Sequence, residues 1–187
     1  MSLVELIAQA DERGLAVSGL ACLDRCVPLL GGDDEVLRPL WTSLAEGAAA
    51  DDWAQRLEQT RGTLDAAAGG GDEAAALAHR MLAAAPAQRS AAGLREWADA
   101  CSVAALRIHR LLDGTAAADG TDLDAARREG RTEGVSPLLA AELRRQVTVL
   151  ELLSAHGPAG LRGAREVATE GRRVLRAAMS RRSRRDG

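Results

Sequence analysis

The chain has 187 residues, 24 basic and 27 acidic, for a formal net charge of −3. That length fits a single domain able to bury a core without disulfides or metals. No stretch approaches the ~20 apolar residues that span a bilayer, and the absence of lysine excludes Walker-lysine and Schiff-base chemistry.

Phe and Tyr are absent, and Trp41, Trp53 and Trp97 are the only aromatic residues. Ala and Leu, the strongest helix formers, dominate instead. The composition predicts an all-α fold: a single-domain antiparallel bundle of about seven to nine helices over residues 1–180. Asn is missing too, and every cation is Arg. That is the codon bias of a GC-rich bacterial genome, so arginine here needs no ligand to explain it, despite its use in bidentate anion contacts. The N-terminus, MSLVELIAQADERG, carries acids where a signal peptide needs a basic region. An odd count of cysteines, Cys22, Cys26 and Cys101, is also unlike a secreted disulfide framework. Both features predict a cytoplasmic protein with no membrane association.

Leu3, Val4, Ile7 and Ala8 predict a first helix to about Arg13, with Gly14 as its stop. Leu20, Leu23, Val27 and Leu30 mark a second, which Pro28 bends or ends early. Asp33 or Asp34 caps a third through about Glu46, burying Val36, Leu37, Leu40, Trp41 and Leu44. A fourth starts near Asp51 with Trp53, Leu57, Leu64 and Ala67 as its stripe, and the run Ala68 to Gly71 breaks the chain.

A fifth helix from Asp72 carries Leu77, Ala78, Met81 and Leu82 and ends before Pro86. Ser90 caps the sixth, where Leu94, Trp97, Cys101, Ala104, Ile108 and Leu111 repeat at heptad-like spacing. Gly114 to Gly134 reads as a mobile connection, interrupted by one short helix that a Thr121/Asp124 capping box opens. Ser136-Pro137 starts the next helix, with Leu139, Leu143, Val147, Leu150 and Leu153 inward, and His156-Gly157-Pro158 stops it. The last helix holds Leu161, Ala164, Ala168, Leu175 and Ala178. Residues 181–187 carry no apolar side chain and predict a disordered basic tail.

No phosphate loop, nucleophile elbow or zincin pattern is present. Cys22 and Cys26 share a helix face and can join a metal site with Cys101 and His79 or His109. The spacing is not that of common zinc sites, and small apolar fillers are the plainer assignment. His79, His109 and His156 are isolated in sequence, and the first two border buried stripes, which suggests half-exposed positions. The pairs Asp33-Asp34, Asp51-Asp52 and Asp72-Glu73 fall at helix starts, where they complement the dipole. No catalytic, cofactor or metal residues are assigned.

Charge placement supplies the one functional lead. From Leu161 onward nine arginines meet only Glu166, Glu170 and Asp186, a segment of +6 on a body of −9. Arg172, Arg173, Arg176, Arg181, Arg182, Arg184 and Arg185 form a candidate polyanion contact. Such a segment can bind a polyanion, an acidic partner or its own body. Three functions remain in view. The first is a non-enzymatic, regulatory protein acting through protein contacts, as a homodimer along the Leu94–Leu111 seam or with another partner. The second is a nucleic-acid-associated regulator using the arginines. The third is a small-ligand binder or enzyme with a pocket beside Trp41, Trp53 or Trp97.

Overall fold

The computed structural model describes residues 1–65, 71–114 and 122–187. Every regular element in them is helical: α1 (Leu3–Gln9), α2 (Glu12–Arg25), α3 (Val27–Leu30), α4 (Arg38–Ser43), α5 (Ala50–Asp65), α6 (Glu73–Ala83), α7 (Ala91–Asp113), α8 (Leu123–Glu129), α9 (Pro137–His156) and α10 (Leu161–Asp186). That is nine helices if α3, one turn beyond the break at Cys26, is counted with α2. None is long and apolar enough to cross a membrane.

The helix starts follow their capping chemistry. Ser2 and Glu5 close a capping box on α1. The side chains of Asp72, Ser90 and Ser136 accept from the third backbone amide onward at α6, α7 and α9. Two boundaries differ from the sequence expectation. The break after α1 falls at Ala10, not Gly14, because Asp11 accepts from Gly14 N and starts a new helix. Gly14 is therefore buried inside α2. Beyond Asp33, a series of turns precedes a short α4, which starts at Arg38 with Pro39 in its first turn. The expected Ala67 stripe position, the break at 68–70 and the Thr121 cap lie outside the described residues; Asp122 caps α8.

α2 is the axis of the fold, with every residue from Gly14 to Arg25 buried. α7, α9 and α10 pack around it. α9 runs antiparallel to all three. Gly14 lies near Leu153 while Arg25 meets Glu142; Ser102 meets Gln146 while His109 meets Glu142; Gly163 lies near Leu152 while Arg145 faces Glu170. α6 packs on α7, α1 on α9, and α4 on α5. Of the seam offered for a second copy, Leu94, Trp97, Cys101 and Ile108 are buried within this chain, and Ala104 and Leu111 are partly buried. α7 is occupied on two sides, by α6 and by α2 with α9, so its buried face also takes in Ser102, Ala105 and His109.

Candidate functional site

The C-terminal turn of α2 carries two charged side chains, Asp24 and Arg25, into the core. Arg25 and Glu142 form an ion pair, Nη2 to Oε1 2.7 Å, with neither side chain exposed. Arg25 Nε donates to both carboxylate oxygens, at 3.2 and 2.9 Å, and Nη2 also reaches Cys22 Sγ at 3.3 Å. Gln146 Nε2 donates to Glu142 Oε1 at 2.9 Å. Its other amide atom accepts from Ser102 Oγ at 2.5 Å, and Ser102 Oγ accepts from Arg127 Nε at 3.1 Å. Arg127 then pairs with Asp99. A chain of bonds thus ties α2, α9, α7 and α8 together. An ionised pair taken from water needs such extra bonds to offset its desolvation.

Burial opposes the charge on Glu142, but the Arg25 guanidinium and the bonds from Arg25 and Gln146 overcome it and hold the carboxyl at about 2. His109 is fully buried, not half-exposed as its sequence neighbours suggested. Its Nδ1 lies 2.6 Å from the Ala105 carbonyl, which can only accept, so Nδ1 carries the proton. Nε2 is left 3.4 Å from Glu142 Oε2. Burial lowers the imidazole's pKa against the pull of Glu142, which keeps His109 neutral.

Cys22, Cys26 and Cys101 are buried beside this cluster and unoxidised. Burial pushes the Cys22 thiol up to about 12 and the other two well above their ordinary value. The shift favours the protonated thiols at neutral pH, which makes them poor nucleophiles. Among the described residues no three His, Cys, Asp or Glu side chains are placed to hold a metal ion.

The three tryptophans are anchors. Trp41 Nε1 donates to Asp24, Trp53 Nε1 to Pro86 O and Trp97 Nε1 to Met81 O, all within 2.9 Å. Trp53 and Trp97 meet edge to face with centroids 6.1 Å apart. A groove of about 190 Å³ runs beside Trp97, lined by Leu77, Met81, Ala84 and Ala104 with Arg80 as its charged neighbour. No acid–base pair converges on it.

The candidate polyanion residues divide into two sets. Arg172 is buried, paired with Asp24 and donating to Asp34 O at 2.9 Å. Arg176 pairs with Asp34 at 2.5 Å, and Arg182 with Asp72 at 3.0 Å. Arg185 donates to the carbonyls of Asp113 and Leu112, both at 3.1 Å, capping the end of α7. Gly114 makes room for it, since a Cβ there would stand 2.6 Å from the guanidinium. These contacts explain why helix continues to Asp186, through the segment the sequence suggested would fray. Arg173, Arg181 and Arg184 are exposed, and their side chains make no hydrogen bond or ion pair with the described residues.

Sequence reasoning missed Arg25, Asp24, Glu142 and Gln146. The signal was present. Glu142 and Gln146 continue the three–four spacing of Leu139, Leu143 and Leu150, and charge at a core register position marks a buried network. No family model, curated protein or solved structure matches the chain.

Proposed function

We propose that the protein is a non-enzymatic helical module that acts by binding another protein, and that its contact surface is the outer face of α10 at Arg173, Arg181 and Arg184. The partner surface on this reading is an acidic segment. The observation that carries it is the division of the arginines. Of the seven candidate arginines, four hold the chain's own body, and the side chains of the other three have no partner among the described residues. Spacings of eight and three place them on one side of a helix, over about 16 Å of its length.

Two further observations favour a polar, non-catalytic contact. Among the described residues Met1 is the only exposed large apolar side chain, which favours a polar contact over an apolar two-fold one. The convergent groups Arg25, Glu142 and His109 have no exposed side chain, which closes them to an external substrate. Nucleic acid is the less favoured ligand. Three unpaired cations release few counterions, and α10 has no aromatic side chain on which a base can stack.

Titration with a polyglutamate peptide and with a short DNA duplex, each across a range of salt, tests the reading. Saturable, salt-sensitive peptide binding that exceeds duplex binding supports it. No peptide binding, or tighter binding of the duplex, contradicts it.

A further inference from the structure

We infer that the groove between α6 and α7 binds a small aromatic monocarboxylate of benzoate size, its ring against Trp97 and Met81 and its carboxylate on Arg80. The site shares no residue with the α10 surface and stands apart from that reading. The groove follows from side-chain size. α6 packs against α7, but Ala84, Ala100 and Ala104 bring only a methyl group each to this part of the contact. A helix pair closed by larger side chains leaves no such gap. Here a space of about 190 Å³ stays open, and Trp97, Cys101, Met81 and Leu77 form its buried floor.

The lining selects the ligand. Trp97 Nε1 is already spent on Met81 O, so the floor offers polarizable apolar surface suited to a ring. Among the described residues Arg80 is the one charged side chain that lines the groove, and no acid there neutralises it. Arg80 makes no side-chain hydrogen bond or ion pair with those residues. Its place in the last turn of α6 suits a helix C-terminus, yet Arg61 already caps those carbonyls. Arg61 Nη2 donates to Ala83 O at 2.9 Å and to Ala85 O at 2.6 Å. Arg80 therefore keeps a free guanidinium beside an apolar floor, and a guanidinium takes a carboxylate through charge-assisted, bidentate bonds. Size sets the rest. A dry apolar cavity of roughly 150 Å³ takes up benzene, so about 190 Å³ holds one ring and a carboxylate. A rigid ring also loses less freedom on binding than an alkyl chain of the same mass.

The test is calorimetric titration of the whole chain with sodium benzoate, benzyl alcohol and sodium acetate at equal ionic strength. A ligand of about nine heavy atoms should bind with a Kd on the order of 1 mM. Benzyl alcohol keeps the ring without the charge, and acetate the charge without the ring; each should bind about ten-fold more weakly or not at all. Arg80→Gln should weaken benzoate to the level of benzyl alcohol. Ala100→Leu, at an exposed position that lines the groove, should fill it and abolish both. Arg144→Gln, an exposed arginine on α9, should change nothing. Benzoate binding unchanged by Arg80→Gln or Ala100→Leu, benzyl alcohol or acetate binding as tightly as benzoate, or no benzoate binding to the unaltered protein would each overturn the inference. Should a variant not fold, nuclear Overhauser contacts in the unaltered protein decide. Contacts from benzoate ring protons to the Trp97 indole support the site, and contacts elsewhere alone overturn it.

Discussion

Arg25 and Glu142 lie 117 residues apart in the chain and meet inside the bundle at 2.7 Å with no exposure of either side chain. Removing one partner strands the other charge, which costs about 3–5 kcal/mol. Arg25→Met and Glu142→Gln should each lower the free energy of urea unfolding by that order. Arg25→Met with Glu142→Leu should cost less than the sum, because neither charge is then left alone. Additive losses would show that the two residues do not act as a pair.

Stability should decline in two steps as the pH is lowered. Burial lowers the pKa of His109 below its ordinary 6.5. Between those values the unfolded chain binds a proton that the folded chain does not. This contribution is complete above pH 6.5 and declines below it, by up to about 1.4 kcal/mol per pH unit. Glu142, at about 2 against an ordinary 4.5, adds a second decline of the same sign as pH drops from 4.5. Urea midpoints from pH 7.5 to 5 should slope for the unaltered protein and flatten for His109→Gln. Identical slopes would rule out His109 as the source.

α2 leaves no room at Gly19. A Cβ there would stand 2.5 Å from Cζ3 of Trp97. Gly19→Ala should cost about 1–3 kcal/mol through overpacking and shift the tryptophan emission. An unchanged unfolding midpoint would mean that α2 and α7 are looser than the packing here.

The three thiols should be silent in the folded state. All are buried and protonated. A thiol-exchange reagent at pH 8 should label none in buffer and all three in urea. Rapid labelling of any one without urea would contradict that burial.

Most helix boundaries were legible because they rest on local chemistry. Ser90, Asp72 and Ser136-Pro137 cap where their side chains suggest, and Gly157 stops α9 at a positive φ of 54°. Cys26 ends α2 two residues before Pro28, as a proline's clash with the preceding turn requires. The Asp11 start was missed because Gly14 looked like the stronger signal. The buried site was not legible by class. Asp24, Arg25 and Glu142 are residue types that ordinarily face water, and only tertiary packing from chain positions far apart satisfies them. The same holds for α10: composition showed an arginine-rich end, but pairing with Asp24, Asp34 and Asp72 depends on where the fold brings those acids.

That sorting of arginines is the central claim, and one comparison tests it most directly: polyglutamate affinity and unfolding midpoint for the unaltered protein and for Arg173→Gln/Arg181→Gln/Arg184→Gln. The account predicts loss of peptide binding with the midpoint held within about 0.5 kcal/mol, as for surface changes generally. Retained binding, or a folded state clearly weakened by the triple substitution, would contradict it.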